Sequence, residues 1–188
     1  MTLRAALRAE TRSSHDGLDA MMRTSGWTTR DGYAAFLKVQ YAARLPIEQY
    51  FAQMSVAAQI PPPQASLIRQ DLTDLGEWNE RMPAASDAHG PAFRLPENSD
   101  PIGAFWAIAG SSLGNRSILK DVRNASGETQ WPVTFLSDAG MTNYWSRHRS
   151  SFDQIATPET IAAAKLAADA IFTHFQNTVR CSDEASAT

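Results

Sequence analysis

The stretch Asp100–Asn124, DPIGAFWAIAGSSLGNRSILKDVRN, constrains this chain more than any other. It reads as one long helix, with Asp100 as N-cap and Pro101 at the first helical position. Gly103, Ala107, Gly110 and Gly114 fall at i, i+4, i+7 and i+11, so all four share one face. Each interior glycine costs about 0.5–1 kcal/mol relative to alanine. Three on one stripe mean that something comes very close. It is either another backbone, in a small-xxx-small helix crossing, or a large flat object.

The remaining punctuation is also helical. Thr2 can cap a helix from Leu3 to about Met22, with Leu7, Thr11, His15, Leu18 and Met22 on one face and Arg4, Arg8 and Arg12 beside it. Ser25-Gly26 ends it. Thr28-Thr29-Arg30-Asp31 caps a second helix, in which Tyr33, Phe36, Leu37, Gln40, Tyr41 and Arg44 recur at helical spacing. Pro46 predicts a kink or a break in it. Ile60-Pro61-Pro62-Pro63 is a stop, Gln64 to Trp78 a third helix, and Arg81 to Pro96 an irregular connection. Gly127 and Trp131-Pro132 close the glycine-bearing region. Phe135–Phe152 holds a short apolar piece, a break at Gly140 and a helix through Trp145. Thr157-Pro158-Glu159 caps a last helix to about Val179. No stretch shows sustained period-two alternation. The expected fold is therefore all-α, a single domain over residues 1–180 with about seven or eight helices and a flexible tail over 181–188.

Charge and cysteine usage narrow the partners. A net charge of −3 is too weak a bias to argue for nucleic acid or an anionic membrane. Cys181 is the sole cysteine, which excludes an internal disulfide framework and a Cys-based zinc site, and suits a reducing cytoplasm. The opening MTLRAALRAETR lacks the apolar core of a signal peptide, and no apolar run reaches membrane-spanning length. A cytoplasmic protein with neither a nucleic-acid nor a membrane partner is expected.

Four histidines are candidates for chemistry. His89 lies in a Gly/Pro loop, His148 at a rim between Arg147 and Arg149, and His174 beside Phe172 and Phe175 as a packing residue. His15 stands on the apolar face of the first helix, where an unpaired polar ring is costly. Asp19, at i+4, can accept the ring's second N–H and fix the imidazole as a metal ligand; an ordinary helical pair is the plain alternative. Arg8 lies seven residues before His15 on nearly the same face, about 10 Å away along the axis. That is close to the span from a haem iron to its propionates. No HExxH, Walker loop or GxGxxG is present. Gly110–Gly114 matches the GxSxG spacing but has no preceding strand and no His/Asp partners. A flat macrocycle held between the glycine face and the His15 helix would use both features.

On these segments the chain resembles the haem oxygenase family, and most of all its bacterial, bacteriophytochrome-associated branch. LRAALRAETRSSHDGLDA resembles the proximal helix, with His15 at the iron-ligand position. GAFWAIAGSSLGNRSIL resembles the distal helix, with Gly110 and Gly114 over the haem. FLSDAGMTNYWSRHRSSF resembles the later aromatic–Gly–Trp region, with Gly140 and Trp145 in register. The resemblance implies a haem oxygenase-like fold with haem between a proximal and a distal helix. It also implies that haem b, cofactor and substrate at once, is oxidised by O₂ to biliverdin, CO and ferrous iron. An external electron donor, a ferredoxin or a flavoprotein reductase, would act as redox partner, and a biliverdin-using phytochrome would take the product. The resemblance makes His15 the iron ligand, Asp19 its acidic partner, Arg8 a propionate partner, and Gly110, Ser111 and Gly114 the catalytic distal wall. Arg147 and Arg149 are further candidates for haem binding, adjacent to Ser146 and Ser150, which hold the later propionate register. Asn115 stands where many members have a second glycine, about 100° round the helix from Gly114. It motivates an alternative: a haem-binding or haem-sensing protein of the same fold that does not turn over.

Overall fold

The computed structural model describes residues 1–24, 26–55, 59–79 and 93–186. His89 and most of the irregular connection around it lie outside the described residues. The described residues form nine α-helices and no strand: α1 (Leu3–Glu10), α2 (Arg12–Thr24), α3 (Arg30–Ala52), α4 (Ala65–Asp74), α5 (Pro101–Ser111), α6 (Asn115–Ser126), α7 (Thr134–Ser137), α8 (Gly140–Phe152) and α9 (Pro158–Ser186). The all-α, single-domain expectation holds. None of these helices is long and apolar enough to cross a membrane.

α1, α3, α5 and α9 start where a short polar side chain satisfies a first-turn N–H group. Thr2 Oγ1 accepts the Ala5 N–H at 3.3 Å, and Thr29 Oγ1 the Gly32 N–H at 3.1 Å. Asp100 Oδ1 accepts the Ile102 N–H at 3.0 Å, and Thr157 Oγ1 the Thr160 N–H at 3.3 Å. α4 stops short of Trp78 because Gly76 takes φ +72° and the Glu77 and Trp78 N–H groups turn back to the Leu72 carbonyl. α9 passes Val179 and runs to Ser186, with no glycine or proline to stop it.

Two helices expected to be continuous are each split. Thr11 is buried, and both its hydroxyl (2.8 Å) and its N–H (2.9 Å) donate to the Leu7 carbonyl. Such back-bonding bends or interrupts a helix, so α1 ends between Arg8 and His15. In the glycine-bearing stretch, the N–H groups of Ser112, Leu113, Gly114 and Asn115 each bond three residues back, at 3.3, 3.1, 3.2 and 3.2 Å. This tightened turn separates α5 from α6. Pro46, by contrast, does not break α3. Its missing bond costs about 3 kcal/mol, but α3 is anchored on both sides of it. Tyr33, Phe36 and Leu37 enter one apolar cluster; Ala43, Ile47 and Phe51 enter the other.

The first glycine of the stripe is explained by packing. α5 runs along α9, and a Cβ on Gly103 would lie 1.7 Å from the Ala164 carbonyl oxygen. Only a hydrogen fits there. At Gly103 the small-xxx-small crossing is the correct reading.

Candidate functional site

α1, α2 and α5 all pack on α9. A cleft of about 1290 Å³ is lined by α1 and α2, by α5 and α6, and by Ile171, Phe172 and Phe175 of α9. α3 adds Phe36, Gln40 and Arg44, and α8 adds Trp145.

Arg8, His15 and Asp19 line this cleft together. The His15 side chain is 51% exposed, and its ring meets Phe172 edge-on with centroids 6.1 Å apart. Nδ1 lies 3.5 Å from Asp16 Oδ1 and 3.7 Å from Asp19 Oδ2. Both separations are longer than an ordinary direct hydrogen bond, and both carboxylates sit on the Nδ1 side of the ring, away from Nε2. Asp16 escaped the sequence reading because adjacent helical residues do not normally face one another. Arg4 also borders the cleft, but its Nε is held by Asp153 Oδ1 at 2.6 Å.

Gly110, Ser111, Gly114 and Asn115 line the cleft from α5 and α6. A Cβ at Gly110 would find only Trp145 Cζ3 at 3.8 Å, and at Gly114 the Ser111 carbonyl oxygen at 3.4 Å. Neither glycine is forced by helix packing as Gly103 is. Together they leave bare backbone toward the cleft. The turn at Ser112–Gly114 brings Asn115 onto the same wall, despite the angle a continuous helix would have given it.

Gln40 and Arg44 belong to this site and were not singled out from the sequence. Arg44 is 2% exposed. Its Nε donates to Gln40 Oε1 at 3.0 Å and its Nη2 to Ser111 Oγ at 3.1 Å. The rings of Phe135 and Phe175 lie 5.2 and 5.9 Å from the guanidinium carbon. Burial pulls its pKa down to about 10, partly offset by the charge of Glu48. The signal available in the sequence was two polar residues, four apart, on an otherwise apolar helical stripe.

Arg147 and Arg149 lie on the exposed side of α8 and do not line the cleft. Arg149 Nε is 3.3 Å from Asp153 Oδ2. His148 stacks on Tyr144 at 4.4 Å. Among the described residues no group of three or more His, Cys, Asp or Glu side chains could hold a metal ion.

No protein-family model and no curated protein sequence matches the chain. Among solved structures, the NO- and CO-bound haem oxygenase of Neisseria meningitidis is similar, with a TM-score of 0.72 and 21% identity over 97% of this chain and 92% of that one. The likeness shows that the two share a fold: this chain has the all-α architecture of a haem oxygenase.

Proposed function

We propose that this cleft binds haem and that the loaded protein is a haem oxygenase, converting haem with O₂ and electrons to biliverdin, CO and ferrous iron. The observation that carries the reading is the convergence, in one cleft of this fold, of His15 with the side-chain-free wall at Gly110 and Gly114. The residues fit a haem. The wall carries no side chain at Gly110 and Gly114, Nε2 of His15 would hold the iron, and the buried Trp106 Nε1 has no partner among the described residues. When bound, haem supplies both the iron that activates O₂ and the ring that is oxidised.

The chain's own residues do the rest. His15 ligates through Nε2, while Asp16 and Asp19 hold the Nδ1 side and orient the ring. Arg8, exposed at the cleft, is the cation for a propionate. Gly110 and Gly114 keep side chains off the opposite face. Ser111 Oγ donates to the Ile108 carbonyl at 2.8 Å and accepts from Arg44, so its hydroxyl is fixed. Ile171, Phe172 and Phe175 give an apolar floor that excludes water. Electrons come from an external donor, a ferredoxin or flavoprotein reductase in the cytoplasm, and biliverdin passes to a user such as a phytochrome.

A second reading, haem binding without turnover, is motivated by Asn115 on the cleft wall and by Arg147 and Arg149 lying off it. One experiment separates the two. Hemin is added, then a ferredoxin–reductase couple and NADPH in air with catalase present. Loss of the Soret band with growth of a biliverdin band is expected. A Soret band that persists under reduction assigns the second reading, and failure to form any hemin complex overturns both.

A further inference from the structure

Asn115 is a buried amide that the fold leaves unsatisfied. The residue is only 8% exposed, and its side chain makes no hydrogen bond among the described residues. It opens α6, a place where an asparagine ordinarily bonds a nearby backbone N–H. Here Gly114, the cap before it, has no side chain to offer, and the Asn115 amide makes no such bond either. Burying a polar group without a partner is costly. Nη1 of Arg44 and Nε1 of Trp106 are also unpartnered, but both are sealed off inside the protein. The Asn115 amide is not sealed off, and the residue lines the cleft beside Gly114. The break at Ser112–Gly114 puts it there.

The other groups on that wall are poorer donors. Arginine can only donate, so Ser111 Oγ accepts from Arg44 Nη2 and its own hydrogen goes to the Ile108 carbonyl. Ser111 therefore has no hydrogen left for a ligand. Gly110 and Gly114 carry no side chain, and Ser117 is exposed, where water competes for it.

We propose that Asn115 is the hydrogen-bond donor of the glycine wall, its amide N–H directed at a small ligand of the haem iron in the space that Gly110 and Gly114 leave clear. The assignment rests on the haem reading. It makes Asn115 a specificity-determining residue. An amide donor favours ligands that accept a hydrogen bond strongly, such as fluoride or O₂, over CO, whose oxygen is a weak acceptor. The competing donor is Gln40, half-buried on α3, whose oxygen takes Arg44 Nε and whose NH₂ makes no hydrogen bond among the described residues.

The test compares wild type, Asn115→Leu, Asn115→Val and Gln40→Leu, each loaded with hemin. Fluoride affinity of the ferric complex should fall about three- to tenfold in Asn115→Leu, the worth of one hydrogen bond. CO affinity of the ferrous complex should change less than about twofold on the same scale, and its C–O stretching frequency should rise. Asn115→Val should repeat both results, and decides alone if Asn115→Leu does not fold. Gln40→Leu should match wild type. Unchanged fluoride affinity and an unmoved C–O stretch in the Asn115 variants would overturn the proposal. So would equal losses of fluoride and CO affinity, which mark a disturbed pocket and not a lost hydrogen bond, or a loss confined to Gln40→Leu. If wild type forms no hemin complex, the haem reading falls and this assignment with it. If hemin binds with a histidine-ligated spectrum and the Asn115 variants match wild type, this assignment alone falls.

Discussion

His174 gives Nε2 to the Ala43 carbonyl at 3.1 Å and packs against the edge of Phe93, with centroids 5.2 Å apart. Burial lowers its pKa, the carbonyl pulling the other way. It is a packing group that does not line the cleft. His15 is the opposite case, half-exposed, with acids on one nitrogen and the other left over. The contrast yields a prediction. His15→Ala should lose the histidine-ligated spectrum of the hemin complex and about tenfold or more in hemin affinity, on the order of 1.4 kcal/mol. Added imidazole should restore the spectrum. Spectra that match wild type without imidazole would move the ligand away from His15. His15, Asp19 and Gly110 were legible in the sequence because helical periodicity is local. Arg44 was not, because its hydroxyl partner, Ser111, is 67 residues away, and no local pattern carries that pairing.

At the level of the helix, α5 uses its glycines for two different purposes. Gly103 lets two backbones touch, whereas Gly110 faces open cleft. Gly103→Ala should therefore force α5 off α9 and destabilise the protein by about 1–3 kcal/mol, the usual penalty for overpacking. Gly110→Ala should do the reverse and add about 0.5–1 kcal/mol through helix propensity alone. Urea denaturation of both variants checks this, and equal midpoints would refute the division of the stripe. The caps at Thr2, Thr29, Asp100 and Thr157 could be read from the sequence, since each rests on a side chain within three residues of its N–H. The interruptions at Thr11 and Ser112 could not. Both residues tolerate a helix interior, and only burial and the surrounding packing decide that they bend it. Pro46 misleads in the other direction, because a two-sided core outweighs one missing hydrogen bond.

For the whole molecule, α9 is the common support. α1 and α2 pack on it at one side of the cleft and α5 at the other, and Phe172 and Phe175 line the gap. A ligand seated there would touch both walls and so tie together helices otherwise joined through α9. Binding to the folded state alone stabilises it by RT ln(1 + [L]/Kd), about 2.7 kcal/mol at a hundredfold excess over Kd. For a chain of 188 residues this corresponds to a rise in melting temperature of about 5–10 °C. Hemin should produce that rise. Metal-free protoporphyrin, which has the same outline and carboxylates, should produce a smaller one. In His15→Ala the two rings should become equivalent, because on the proposed reading a bond from Nε2 to iron is what separates them. If saturating hemin leaves the melting temperature unmoved, the cleft does not close around a haem. If metal-free protoporphyrin matches hemin on wild type, the ring is held by the walls and Arg8, and His15 contributes no axial bond.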